Sequence, residues 1–253
     1  MKRILLLAAV LLLAPFLQGE DTVIVRRTTG QIFVDGNLDE EDWRKAEPVG
    51  PFLIHPTRNA ETEEITQAWM LWDDTNLYIA FFCQDKYISA ERTQRHSDVS
   101  LDDCVEAFLS PFPSRPGVYT NIEINALGTY LSRLIMEEPI AAALAAPGLS
   151  DRESLRPHWV PPGLQIGRSH AGTMNDDSDE DEWWIIEMSI PFQAFRFLGL
   201  ESGPEPGDVW RFNLYRLGGR TNPVRRNLFF IPKNMSNHSP RHFGHLFFSK
   251  ESW

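Results

Sequence analysis

The sequence predicts an all-β protein: an antiparallel β-sandwich or jelly-roll-like barrel with short helical excursions. Three observations support this class. Apolar and polar residues alternate with period two in many short segments, turn residues separate most of these segments, and no amphipathic crossover helices lie between them. With 253 residues, 42% of them hydrophobic, the chain has enough apolar material for one large β domain.

The first segment has the pattern of a secretory signal peptide. Lys2 and Arg3 precede an apolar run at 4–17, after which polar residues return. The run is too short to span a bilayer comfortably, and no later segment is long and apolar enough to do so. We therefore expect residues 1–19 to be removed, leaving a secreted or periplasmic protein without a membrane span. An uncleaved anchor is the alternative.

The predicted domain spans residues 31–249, with a lead-in at 20–30 and a tail at 250–253. A short strand at 31–34 ends in the tight-turn dipeptide Asp35-Gly36, and residues 39–46 form one or two helical turns. Further alternating segments predict strands at 65–72, 77–84, 104–109, 119–126, 130–136, 164–170, 184–190, 209–217, 227–231 and 243–248. An Ala-rich helical excursion is predicted at 140–146, within an irregular segment at 137–162.

The charge balance argues against two classes of partner. Lys and Arg number 24 against 35 Asp and Glu, so the formal net charge is −11. Phosphate backbones and anionic membranes attract clustered Lys and Arg. We therefore expect neither nucleic acid nor a membrane surface as a partner.

Cys83 and Cys104 are the only cysteines. In an exported chain they can form a disulfide, or they can pack as two small buried hydrophobic residues. The sequence leaves both interpretations open. Because there is no CxxC or CxxCH motif, neither thiol is expected to be catalytic or to bind a metal.

Four predicted strands carry polar side chains on the row that alternates with their hydrophobic row. If these strands are neighbours, the rows form one polar surface, made of Glu106; Tyr119, Asn121, Glu123 and Asn125; Trp183, Glu187 and Ser189; and Arg211, Asn213 and Tyr215. Carboxylate, amide and guanidinium groups pair with sugar hydroxyls, and aromatic rings pack on the apolar face of a pyranose. A saccharide site is therefore one interpretation, and an ordinary solvated sheet face is the other.

A series of motifs, in order and spacing, resembles carbohydrate-binding module family 9. They are IFVDG at 32–36, LDE at 38–40 with Trp43, WDD at 72–74 with NLYI at 76–79, Asp103 with Val105-Glu106 and Phe108, EIN at 123–125 before Gly128-Thr129, Trp184 and Glu187 with IPF at 190–192, PG at 206–207, WR at 210–211, NL at 213–214 with Arg216, and Pro240 with FG at 243–244 and Leu246 to Phe248. The resemblance covers residues 31–249. It implies a β-sandwich that binds polysaccharide ends or small sugars, often joined to secreted glycoside hydrolases, with structural calcium in some members.

Members of this family hold sugar between two Trp side chains, and one of these precedes the segment matching Asp103 to Glu106. Residues 97–101 contain no aromatic residue here, so Trp159 or Trp183 is the candidate for one wall and Tyr119 or Tyr130 for the other. The predicted ligand-binding residues are Glu106, Glu123, Asn125, Trp159, Trp183, Arg211 and Asn213. No catalytic residue is predicted.

Calcium is a further hypothesis. Asp176, Asp177 and Asp179 lie in an acidic segment at 175–182, and calcium prefers carboxylate oxygens. The spacing is not that of a helix-loop-helix calcium site, so a solvated acidic loop is the alternative. For a carbohydrate-binding domain, no cofactor other than calcium is predicted.

The sequence therefore predicts a secreted, non-catalytic carbohydrate-binding domain that supports carbohydrate breakdown by a glycoside hydrolase or an outer-membrane partner. The alternative is an exported enzyme or enzyme subunit. One form is a weak glycoside hydrolase that uses two of Glu106, Glu123 and Glu187. The other is an electron-transfer subunit that binds haem b through a Met, such as Met70 or Met136, and a His.

Overall fold

The structure is a computed structural model that describes residues 22–50, 52–54, 64–136, 157–218, 227–229 and 237–252. Within these residues one α-helix, α1 (Glu41–Lys45), and short 3₁₀ turns at Val99–Leu101, Phe192–Leu198 and Pro240–His242 accompany the strands. The strands are β1 (Thr22–Arg27), β2 (Leu53–Ile54), β3 (Thr66–Trp72), β4 (Asn76–Gln84), β5 (Cys104–Ser110), β6 (Val118–Asn125), β7 (Tyr130–Met136), β8 (Gln165–Ala171), β9 (Trp183–Pro191), β10 (Val209–Leu217), β11 (Asn227–Phe229) and β12 (Gly244–Phe248). No helix in this part of the chain is long and apolar enough to cross a bilayer.

The strands form one continuous, curled, mixed sheet in the order β7-β6-β5-β10-β12-β1-β3-β4-β9-β8. β11 and β2 lie outside this order, and β11 pairs with both β10 and β2. β1 joins two halves, because its first residues pair with β12 and its last two pair with β3. We call β7-β6-β5-β10-β12 the first half and β3-β4-β9-β8 the second half.

The prediction of an all-β fold is confirmed, but the prediction of purely antiparallel pairing is wrong. β1 runs parallel to both of its neighbours. β1 lies in the segment that the sequence interpretation assigned to a lead-in, and the strand predicted at 31–34 is irregular in the structure. The predicted helix at 39–46 is confirmed as α1, whereas the excursion predicted at 140–146 lies outside the described residues.

The core lies between the inner rows of the two halves. Its buried residues include Val105, Ala107, Leu109, Ile122, Ile124, Trp210, Phe212 and Leu214 from the first half, and Met70, Ile79, Phe81, Trp184, Ile186, Met188 and Ile190 from the second. The inner rows predicted from period-two alternation for β5, β6, β9 and β10 are all in this cluster. Burial of this apolar surface is the main stabilising contribution to the fold.

A buried ion pair joins the halves at one end of the core. Arg216 of β10 is 1% exposed, and its Nη2 donates to Asp85 Oδ2 at 2.8 Å. Its Nη1 donates to Thr66 Oγ1 at 3.0 Å, and Trp184 Nε1 donates to the same Asp85 oxygen at 3.2 Å. Since Asp85, Thr66 and Trp184 all belong to the second half or its ends, one guanidinium fixes β10 against that half.

Cys83 and Cys104 are both buried thiols and do not form a disulfide. The interpretation that they pack as small hydrophobic residues is therefore the correct one.

The carboxylate of Glu187 on β9 anchors the segment that follows β1. Its Oε2 accepts hydrogen bonds from the backbone N–H groups of Asp35 and Gly36, both at 3.0 Å, and its Oε1 accepts one from Trp43 Nε1 at 3.0 Å. Gly36 has φ +87°, and a Cβ there would lie 2.3 Å from the backbone of Arg168. The predicted tight turn at Asp35-Gly36 therefore needs glycine for both its conformation and its contact with β8.

Burial raises the pKa of Glu187 to about 7, although the three N–H donors act in the opposite direction. The folded protein therefore holds this proton more tightly than the unfolded chain does, whose glutamate pKa is near the ordinary value of 4.5. The contribution of this group to stability is complete below pH 4.5 and decreases as pH rises to about 7.

We expect Arg216→Met to lower the free energy of unfolding by about 3–5 kcal/mol, because it leaves the Asp85 carboxylate buried without its cation. Urea denaturation measures the loss. Arg26→Met is the matched control, since Arg26 forms an exposed pair with Glu251 at 3.5 Å and should cost no more than about 1 kcal/mol. Equal losses in the two variants would contradict this role of the ion pair.

We also expect the stability difference between the protein and its Glu187→Gln variant to depend on pH. The amide does not ionise, so the variant lacks the decrease between pH 4.5 and about 7 that Glu187 causes. Urea midpoints measured from pH 4 to pH 8 test this, with Glu205→Gln at an exposed position as the control. A Glu187→Gln difference that stays constant across this range would show that the carboxyl does not titrate there.

Candidate functional site

Three of the four strands that were predicted to share a polar surface are neighbours, in the order β6-β5-β10. Their register aligns two rows of side chains on the face that points away from the core, Glu123 with Glu106 and Tyr215, and Asn121 with Phe108 and Asn213. β7 extends the face at its edge. We call this face of β7, β6, β5 and β10 the polar face. The strand pairing thus brings Glu106, Glu123 and Asn213 together as predicted.

The fourth strand, β9, lies in the second half, so Trp183 and Glu187 are not on the polar face. Trp183 packs on Phe82 of β4, with ring centroids 6.0 Å apart. The ring of Trp159 is not on this face either, although its backbone pairs with β7. It is buried in the core and packs on Phe195, at 5.5 Å between ring centroids. The expectation that either Trp stands beside Glu106 is therefore wrong, and the rings that do lie there belong to Tyr119, Tyr215 and Phe108.

The polar face is a buried hydrogen-bonded network. Glu106 is 2% exposed, Glu123 8% and Asn213 2%. Asn121 Nδ2 donates to Glu106 Oε2 at 3.1 Å, and Asn213 Nδ2 donates to the Tyr215 hydroxyl at 3.0 Å. The interpretation as an ordinary solvated sheet face is therefore wrong, because solvated faces do not bury this many polar groups.

The segment that precedes β12 covers one end of the polar face. Phe243 packs with Tyr119, Phe108 and Tyr215 in one aromatic cluster. The Tyr119 hydroxyl lies 2.8 Å from His238 Nδ1, and the Tyr215 hydroxyl donates to a backbone carbonyl of this segment, at residue 237, over 3.1 Å. Burial and the Glu106 charge raise the pKa of Tyr215, so its hydroxyl stays protonated.

Two of the predicted ligand-binding residues, Asn125 and Arg211, form hydrogen bonds with other groups of the protein itself. Asn125 Oδ1 accepts the N–H of Thr129 at 2.9 Å, while Nδ2 donates to Arg92 O at 2.9 Å and to Asp102 Oδ2 at 2.8 Å. Asn125 therefore ties the segment before β5 to the turn between β6 and β7.

Arg211 donates to the carbonyl oxygens of Phe243 at 3.1 Å and Pro113 at 3.4 Å. It lies four residues from Tyr215 along β10, roughly 13 Å at the rise of a β-strand. Arg211 thus holds the covering segment and is too far along the strand to form an ion pair with Glu106.

The register also adds residues that the sequence interpretation did not select. Arg133 of β7 lies opposite Asn121, and His158 forms an isolated bridge with Arg133. The row therefore runs from His158 through Arg133 and Asn121 to Phe108 and Asn213. Asn121 and Tyr215 were in the predicted outer rows, but the sequence contains no signal that places His158 beside β7.

The acidic segment does not have the geometry of a calcium site. Asp176, Asp177 and Asp179 are all exposed, and Asp176 accepts a local hydrogen bond from Ser178 N at 3.0 Å. In the described part of the chain, no three His, Cys, Asp or Glu side chains converge so as to hold a metal ion. The neighbouring Asp181 is instead buried, and it accepts the N–H of Ile88 at 2.6 Å.

Met70, which was considered as a haem ligand, is buried in the apolar core.

A separate cleft of about 520 Å³ lies on the second half. Asn76, Tyr78, Gln165, Gln193 and Arg196 are among the residues that line it. It contains polar and aromatic groups, but it lies on the other half of the sheet from Glu106 and Glu123.

Comparison with known proteins places these features in a family. Residues 70–248 match the model of the family described as Carbohydrate-binding family 9. No curated protein matches the sequence.

Solved structures share the fold. A candidate carbohydrate-binding protein from Bacteroides uniformis is 19% identical, with a TM-score of 0.68 over 90% of this chain and 99% of that one. A carbohydrate-binding module of family 9 from Caldicellulosiruptor kristjanssonii, solved with cellotriose, is 16% identical, with a TM-score of 0.59 over 91% of this chain and 95% of that one. A module of the same family and organism, solved with glucose, is 16% identical, with a TM-score of 0.60 over 91% and 97% of the two chains.

The family model covers well over half of the sequence and includes every strand of the polar face. The chain therefore belongs to carbohydrate-binding family 9.

Proposed function

We propose that the protein is a non-catalytic carbohydrate-binding domain whose polar face holds a saccharide. The observation that carries this proposal is the alignment of Glu123 and Glu106 in one cross-strand row, with Asn121 and Asn213 in the next. Carboxylate oxygens accept hydrogen bonds from sugar hydroxyls, and amides both donate and accept. Two adjacent rows of such groups match the adjacent hydroxyls of a pyranose.

One group on this face has unused hydrogen-bonding capacity. Asn121 is 1% exposed, and no described atom donates a hydrogen bond to its Oδ1. A buried polar atom without a partner costs free energy, which a bound hydroxyl donor would recover. Among the described residues, the β7 edge of the face is open to solvent, since Arg133 is partly exposed and His158 is exposed. A saccharide that reaches Asn121 would therefore approach from this edge.

The structural neighbours indicate which ligands to test first. Two of them were solved with cellotriose and with glucose. The leader pattern at 1–19 supports export, and an exported binding domain of this kind would act beside a glycoside hydrolase or an outer-membrane partner in carbohydrate breakdown.

A second candidate function, hydrolysis of a glycosidic bond, is favoured by one observation. Glu106 and Glu123 are directly opposite each other in the register. Cβ atoms of such pairs are about 4.5–5.5 Å apart, and the two carboxyl groups of retaining glycosidases are separated by about 5–5.5 Å. Incubation with cellotriose followed by a reducing-sugar assay separates the two functions, because a binding domain releases no glucose.

We expect calorimetric titration with cellotriose and glucose to detect binding, and Glu106→Gln to weaken it by about tenfold or more. The substitution keeps the shape of the side chain but removes a charged acceptor, which is worth about 1.5–3 kcal/mol per hydrogen bond. Gln165→Ala in the separate cleft is the matched control and should leave the affinity unchanged. Loss of binding in Gln165→Ala but not in Glu106→Gln would show that the sugar binds in the cleft instead. If neither sugar binds to the unmodified protein, the proposal is refuted for these ligands.

A further inference from the structure

Four cationic or titratable side chains gather at the β7 edge of the polar face. They are Arg95, His96, Arg133 and His158, and they come from three separate segments of the chain. The rings of His96 and His158 stack with centroids 4.4 Å apart and an interplanar angle of 22°. The Arg95 guanidinium lies over the Tyr130 ring at 5.5 Å, and that ring meets His96 edge-on at 5.9 Å. We call these four residues the cationic edge.

Backbone contacts fix the cationic edge in place. His158 forms a bridge with Arg133, and the next residue, Trp159, donates its N–H to Ser132 O at 3.0 Å. His96 donates its N–H to Tyr130 O at 2.9 Å and has φ +66°. A left-handed backbone is uncommon for histidine and persists only where its surroundings hold it. The imidazole is therefore positioned rather than free to rotate away with its segment.

Within the described part of the chain, the arginines of the cationic edge have no carboxylate partner. Among the described residues, neither Arg95 nor Arg133 forms an ion pair, whereas the nearby Arg92 is paired with Asp102. Glu123 is the nearest acidic residue in the register, two positions along β6 from Asn121, which pairs with Arg133. No ion pair joins Glu123 and Arg133. This arrangement is unusual in a chain with a formal net charge of −11.

Two buried atoms of this cluster also lack hydrogen-bond partners in the described structure, His96 Nδ1 and Arg133 Nε. Burial lowers the pKa of His96, and the charges of His158, Arg95 and Arg133 add to this effect, so these groups repel one another across a short distance. An anion placed among them would neutralise the repulsion and accept their hydrogen bonds.

The position of the cationic edge beside Asn121 indicates which kind of ligand would present the anion. Arg133 lies directly opposite Asn121, whose Oδ1 is also without a described partner. A ligand that meets both residues presents a hydroxyl to Asn121 and a carboxylate to Arg133, next to each other. We propose that the cationic edge binds the carboxylate of a uronic acid, and that the protein therefore prefers acidic saccharides to neutral ones. This inference rests on the proposed function of the polar face and extends it to a ligand class.

The test compares D-glucuronic acid with D-glucose, which has a CH₂OH group in place of the carboxylate. We expect NMR titration of the protein to show at least tenfold tighter binding of glucuronic acid, since charge-assisted hydrogen bonds are about twice as strong as neutral ones. Arg133→Met should lower glucuronic acid affinity more than glucose affinity, so that the preference for the acid is lost. Arg95→Met should act in the same direction with a smaller effect, and Arg44→Met on α1 is the control.

The results of these titrations distinguish this inference from the proposed function. Equal affinity for the two sugars, or equal loss of both in Arg133→Met, overturns the uronic acid inference and leaves sugar binding intact. Binding of neither sugar refutes both. A titration with acetate tests whether the site requires a sugar that has a carboxylate or binds any free carboxylate. If acetate binds as tightly as glucuronic acid and depends equally on Arg133, the edge is a site for free carboxylates and the inference is wrong.

Discussion

The buried contact between Arg216 and Asp85 fixes the register on which the polar face depends. Arg216 belongs to the inner row of β10, and its neighbour Tyr215 belongs to the outer row, opposite Glu106. Side chains alternate along a strand, so a slip of one residue would move Arg216 to the polar face and Tyr215 into the core. Because the guanidinium is held between Asp85 and Thr66 of the second half, that slip would break a buried ion pair. This one contact thus fixes which side chains of β10 enter the core and which lie on the polar face.

Much of the fold was predictable because its strands alternate clearly. The inner rows of β5, β6, β9 and β10 followed from period two alone, and so did most strand positions. The order of strands in the sheet did not, since local alternation contains no information about which strand is the neighbour. This is why β9, with Trp183 and Glu187, was grouped with β5 and β6 although it lies in the other half. The parallel pairing of β1 was not predicted because the strand itself was assigned to the lead-in.

The candidate site was predictable in part. Glu106, Glu123 and Asn213 share a face because their strands are adjacent, which the sequence analysis could only assume. Asn125 and Arg211 are equally polar and lie on the same strands, yet their hydrogen bonds go to backbone groups and to Asp102. Sequence shows that a polar group exists but not which partner satisfies it. His96 and His158 meet only through tertiary structure, so no spacing could have indicated their stack.

The pairing of β1 with β12 has a consequence for how the protein acquires its structure. Thr22 to Val25 lie beside His245 to Phe248, so the seam between the two halves is made by the first and the last described strands. Contacts between such distant parts of a chain are slow to form, because the loop between them must close first. The β1–β12 pair therefore forms only after the chain has been synthesised to residue 248, when all the strands between them are already available to pair.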